Sequence, residues 1–152
     1  MSVFGLKEDK TMNTVEINRR FNAMYNHMSG IYREVIKKYS MSECQFWILY
    51  ALSSEGRPLN QKELQSYLIA PKQTIHSAIH RMLDEGYILL KETSGKRKFF
   101  ELTEKGTQLA SVSVSKVLEM EFTVLNEFTP EERNTLLSLS EKYIRLFEKE
   151  AL

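Results

Sequence analysis

The chain has 152 residues, enough for one domain with a real core or for a small domain plus a dimerisation element. Hydrophobic residues make up 42% and charged residues 27%, which excludes a disordered polyelectrolyte, and a formal net charge of +1 gives no whole-molecule attraction to a polyanion. One cysteine, Cys44, excludes an internal disulfide framework and fits a reducing compartment, and no apolar run approaches the roughly 18 residues of a bilayer span, so a cytoplasmic protein is expected.

In chain order, Val15, Ile17, Phe21, Met24, Met28, Ile31, Val35 and Tyr39 recur at mostly helical spacing and predict a first helix over residues 13–39, interrupted only by Gly30. Ser42 with Gln45 has the form of a capping box before a second, bulky helix, "ECQFWILYALSS". Asn60 with Glu63 repeats the pattern before a short helix, "QKELQSYL". "IAP" then turns the chain, and Pro71 suits the first position of the next helix, "KQTIHSAIHRMLDE", closed by Gly86. "YILLKET" and "KFFELT" read as two strands around a hairpin tip, "SGKRK", with "PLN" as a candidate third strand because two strands alone are marginal. Thr103 starts a helix predicted to run to about Phe128. "TPEE" at 129–132 starts the last helix, which is apolar at Leu136, Leu139, Tyr143, Leu146 and Phe147.

The segment with functional content is Lys72–Glu85. Ile75, Ala78, Ile79, Met82 and Leu83 form one stripe that should be buried. The remaining positions are polar, and a short helix joined by a tight turn to such a helix is a helix-turn-helix. In that motif the second helix enters the DNA major groove. Lys72, Gln73, Thr74, His76 and Ser77 are suited to base or phosphate contact, Arg81 to phosphate, and His80 shares their side. A solvated helix face would look the same taken alone. The hairpin tip tips the balance, because Lys96, Arg97 and Lys98 make a cationic wing that gains by releasing counterions from a DNA backbone. Charge follows this division: residues 72–98 hold six Lys/Arg against three acids, residues 104–150 six against nine. A zinc site would start from His76 and His80, one turn apart, but needs a third or fourth ligand, and Cys44 and His27 lie on other elements, so no metal is expected.

On one helical wheel over 109–128, Leu109, Val112, Val117, Met120, Val124 and Phe128 fall on one side, and Val114, Leu118, Phe122 and Leu125 on an adjoining one. Only about a third of the circumference is polar, more than one core requires covering, and a twofold partner subunit is the simplest second surface.

The order of elements, "MSECQFWILYAL", "QKELQSYLIAPKQTIHSAIHRMLDEGYI" and a wing ending "FELTEKG" resemble the MarR (multiple-antibiotic-resistance regulator) family of bacterial transcription factors over nearly the whole chain. The resemblance implies a mainly α fold with a small β-hairpin wing (α+β). A winged helix-turn-helix domain over 41–106 would be flanked by dimerisation helices over 1–40 and 107–152. It further implies a homodimeric repressor on an inverted-repeat operator in double-stranded DNA, released in many members by a small aromatic or lipophilic molecule, a metal or an oxidant, with no cofactor and no catalytic residues. The family wing usually carries Asp and Arg two residues apart; here Ser94 and Lys96 stand in those places, and Arg97, one position along, can take the arginine's part. An effector cavity would draw on Tyr25, Met28, Tyr32, Tyr39, Trp47 and Tyr50, which are equally the types that fill a core. Cys44 at a helix N-terminus is a candidate redox thiol. No nucleophile–base pair, glycine-rich phosphate loop or HExxH motif points to an enzyme. A winged helix that binds protein, or a metal- or thiol-based sensor on the same fold, stands as the alternative.

Overall fold

The structure is a computed structural model and describes residues 13–92 and 97–152. Contacts divide the chain into two units, 1–43 and 44–152. In the first, α1 (Thr14–Lys37) starts at Asn13, whose side chain accepts the Glu16 N–H at 2.9 Å. It runs unbroken through Gly30, where an interruption was expected. Val15, Ile17, Phe21, Met24, Tyr25, Met28 and Ile31 are exposed along it, while Ile36 is buried.

The second unit is built around α2 (Glu43–Glu55), whose first residue belongs to the first unit. Apolar on nearly every side, this helix has nowhere to lie but inside, and Phe46, Ile48, Leu49, Ala51 and Leu52 are buried. Next come α3 (Gln61–Ser66) and α4 (Lys72–Asp84). The capping box at α3 is complete: Asn60 accepts the Glu63 N–H at 3.0 Å, and the Glu63 carboxylate accepts the Asn60 N–H at 2.8 Å. Leu64, Leu68, Ile75, Ala78, Ile79 and Met82 bring both helices into one core. At about 1.5–3 kcal/mol for each large side chain buried, this packing outweighs the roughly 1 kcal/mol of a helix cap.

Strands β1 (Ile88–Glu92) and β2 (Lys98–Leu102) pair antiparallel, Ile88 opposite Leu102 and Leu90 opposite Phe100. Buried Ile88 and Phe100 anchor the base of the hairpin. The expected third strand is reduced to one residue: Leu59 and Phe100 exchange both backbone hydrogen bonds, at 3.0 and 2.8 Å. That bridge ties the wing to the segment before α3 and supplies the support a lone hairpin lacks.

The helix expected from Thr103 to about Phe128 is two helices, α5 (Glu104–Val112) and α6 (Val114–Asn126). They break at Ser113, which is fully buried at φ −128° and ψ −83°. Its N–H reaches only Ala110 O at 3.2 Å, and its hydroxyl donates back to Leu109 O at 2.6 Å. A local hydroxyl bond competes with the helical ladder, and the flanking Ser-Val alternation holds a helix weakly. The single wheel drawn over 109–128 therefore does not apply. Ala110, Val114 and Val117 are buried, while Val112, Met120, Phe122, Val124, Leu125 and Phe128 are exposed. The last helix, α7 (Pro130–Ala151), has the expected capping box of Thr129 with Glu132 and Pro130 in its first turn, and contains no buried residue.

Candidate nucleic-acid interface

α4 is a polar rod on an apolar rail. Ile75, Ala78, Ile79 and Met82 are buried and Leu83 half-buried, whereas Lys72, Gln73, Thr74, His76, Ser77, His80 and Arg81 are all exposed. The 3.6-residue repeat of the sequence therefore sets all seven predicted contact residues on the solvent side of one helix. Pro71 stands one position earlier than expected, as the N-cap, with no side-chain cap bond; its carbonyl accepts from Thr74 N at 2.9 Å and Ile75 N at 3.2 Å. The first turn contains no acid, so the positive end of the helix dipole and Lys72 act together.

Four of the seven have partners on the same helix or at its C-terminal cap. Ser77 Oγ donates to Gln73 O at 2.9 Å, leaving its lone pairs to accept. His76 Nε2 and His80 Nε2 stand 3.1 Å apart, their ring centroids 4.3 Å apart. Arg81 Nε is paired with Glu85 Oε1 at 3.1 Å, and Gln45 Nε2 reaches the other oxygen of that carboxylate at 3.4 Å. An exposed pair of this kind is worth less than about 1 kcal/mol, so it orients Arg81 without holding it against a stronger anion.

The far end of α4 is closed by Gly86, as expected, and is tied down by Thr103, Lys105 and Gly106, whose part there reasoning from side-chain chemistry passed over. Gly86, at φ +74°, closes the helix: its N–H bonds to Leu83 O at 3.0 Å and that of Tyr87 to Met82 O at 2.9 Å. Thr103 Oγ1 donates to Gly86 O at 2.6 Å, with Tyr87 O at 3.1 Å, and accepts the Gly106 N–H at 3.0 Å. Lys105 Nζ donates to Glu85 O at 2.6 Å and lies 4.4 Å from the centre of the Tyr87 ring. Gly106 passes so close that a Cβ there would sit 1.9 Å from Tyr87 O. "DEGY" and "LTEKG" are thus two halves of one clamp, and their spacing was the available signal.

Of the wing, Arg97 and Lys98 are exposed, while Ser94 and Lys96 lie outside the described residues. Lys91, counted among the local cations, is paired with Glu101 at 2.7 Å. Among the described residues no cluster of three or more His, Cys, Asp or Glu is placed to hold a metal ion, and no helix is long and apolar enough to cross a membrane.

The comparisons fit this geometry. Residues 41–106 match the winged helix DNA-binding domain family. A Bacillus subtilis (strain 168) protein described as the uncharacterized HTH-type transcriptional regulator YwoH is 26% identical over 113 residues, 74% of this chain and 82% of that protein. NMB1585, a MarR family regulator from Neisseria meningitidis, superposes with a TM-score of 0.76 at 21% identity, over 91% of this chain and 96% of that one. MepR of S. aureus, solved as a DNA complex, superposes with a TM-score of 0.65 at 18% identity, over 89% of this chain and 96% of that one. Residues 41–106 carry a winged helix DNA-binding domain, and the chain has the fold of the MarR-family structures.

On this MarR-family fold the candidate effector residues fall in both units. Tyr25 and Met28 are exposed on α1, and Tyr32 and Tyr39 are half-buried. Trp47 and Tyr50 join Phe46 in an aromatic cluster with centroids 5.2–6.3 Å apart, and the Tyr50 hydroxyl donates to Glu121 Oε2 at 2.6 Å. Cys44 is half-buried in the first turn of α2.

Proposed function

We propose that this protein works as a homodimeric repressor that places α4 of each subunit in the major groove of an inverted-repeat operator. The observation that carries the reading is the division of α4, with every candidate contact residue exposed over a buried rail that fixes the helix against the core. Gln73, Thr74, His76 and Ser77 read base edges; Lys72, His80 and Arg81 bind at the groove edge, Arg81 leaving Glu85 for a phosphate. Arg97 and Lys98 bring the wing onto the neighbouring backbone or minor groove together with Ser94 and Lys96. Two copies place two such helices about one DNA turn apart, and the half-sites follow at that spacing. A small aromatic or lipophilic effector releases the DNA by preferring one arrangement of the subunits over the other, and the exposed Tyr25 and Met28 offer it apolar surface. The complex of MepR with DNA supports the reading by showing this fold engaged with a duplex.

The test is fluorescence anisotropy on DNA flanking the protein's own gene, against scrambled DNA of equal length, over a series of salt concentrations. Preference for an inverted repeat by a factor of about 1,000 or more, with a steep salt slope that loses about three to four units when Arg97 and Lys98 are both changed to alanine in each of the two subunits, is expected. Absence of binding at low salt would sink the reading and leave a winged helix that binds protein.

A further inference from the structure

The two imidazoles of α4 have a geometry that base reading leaves unexplained. We propose that His76 and His80 form a chelating site for one late first-row divalent ion, of the class Ni2+, Cu2+ or Zn2+. The two Nε2 atoms lie 3.1 Å apart, with ring centroids 4.3 Å apart and ring planes 57° apart, on an exposed helix face. Metal–imidazole bonds of about 2.0–2.1 Å put two nitrogens about 3.3 Å apart at a tetrahedral angle and about 2.9 Å apart at a right angle, so the observed separation lies within the bite of either geometry. One helical turn sets it: residues four apart stack on the same face, and their rings reach a common point with little rearrangement. The ring that presents an Nε2–H to the other takes its Nδ1–H tautomer when the ion enters, so that both rings bind as neutral imidazoles through a bare Nε2. Other positions on the ion fall to water, because among the described residues no third His, Cys, Asp or Glu joins the pair. Two ligands and open positions favour the ions with the highest intrinsic affinity for imidazole, with Cu2+ first.

The consequence for DNA rests on the reading of α4 as the groove-facing helix. His76 is then withdrawn from the bases and His80 from the groove edge, and the advantage of operator DNA over scrambled DNA shrinks. Binding of the ion itself does not depend on that reading.

The experiment titrates Cu2+ into the untagged full-length protein and follows heat and the electron paramagnetic resonance spectrum, without DNA. One ion per chain with two coordinated imidazole nitrogens is expected, lost in both His76→Gln and His80→Gln, whose circular dichroism stays that of the wild type. His27→Gln keeps the site. An ion that survives both α4 substitutions, or a spectrum with one nitrogen, overturns the proposal. A metal-loaded protein that keeps its full operator preference would count against the groove-facing reading and leave the site standing.

Discussion

Single residues carry sharply different weights in this chain, and Glu63 shows why. Its carboxylate accepts the Asn60 N–H at 2.8 Å and is paired with Arg57 at 3.0 Å, and these contacts, the backbone hydrogen bond foremost, hold its pKa below the ordinary 4.5. The folded state thus prefers the charged form. The associated stability is fully present above the unfolded pKa and is lost as pH falls through the lower, folded one. The effect belongs to α3, the helix that supports α4 from behind the turn. Urea midpoints of wild type and Glu63→Gln are therefore expected to differ at pH 7 and to converge as pH falls below about 4.5; a constant gap would assign the difference to packing. Arg81 illustrates the opposite case. Its side chain reads as a phosphate ligand from type alone, but the Glu85 carboxylate four residues on already occupies it, and the pair is legible only by placing both on one helix face.

At the scale of elements, position follows from where backbone groups are satisfied. α4 is held at its end by Thr103, Lys105 and Gly106 on the 85–87 turn, so its aim is set by a segment that contains no candidate contact residue. Gly106→Ala forces a methyl into the space of the Tyr87 carbonyl, and the backbones must part. A loss of about 1–3 kcal/mol in urea unfolding is expected, with weaker operator binding in the fraction that remains folded. Unchanged stability would show that the two segments separate freely. Much of this architecture was written in the sequence: Asn60–Glu63 and Thr129–Glu132 are capping boxes by spacing, the α4 rail follows from a 3.6-residue repeat, and Gly86 ends that helix because a positive φ suits glycine. The break at Ser113 was not legible. Apolar positions continue in phase from Leu109 to Phe128, and what interrupts them is one buried hydroxyl turning back on the Leu109 carbonyl, a local competition that periodicity does not register. Nor was the approach of His76 Nε2 to His80 Nε2 legible, since spacing puts the residues on one face without saying which ring atoms meet.

For the whole molecule the deciding fact is surface left uncovered. α7 has no buried residue, yet Leu136, Leu139, Tyr143, Leu146 and Phe147 repeat along it, each at least 45% exposed, and Met120, Phe122 and Val124 on α6 are exposed in the same way. Scattered apolar residues are normal on a monomer, but a stripe repeating every three or four residues down a 22-residue helix is what a facing helix buries. A specific dimer needs roughly 1,200–2,000 Å2 of buried area, within reach of helices this long. Because none of these side chains enters the core of its own chain, charges can be placed on them without unfolding it. Leu139→Glu combined with Leu146→Glu is therefore expected to keep the helical circular dichroism while changing the sedimenting species from twice 17.8 kDa to 17.8 kDa. Operator affinity should fall by orders of magnitude, since two half-sites held by one dimer become two independent and weak events. Scrambled DNA, bound through Lys72, Arg97 and Lys98 of single subunits, should lose much less. A variant that stays dimeric would move the interface off α7, and one that sediments as a monomer with undiminished operator affinity would remove twofold recognition from the mechanism.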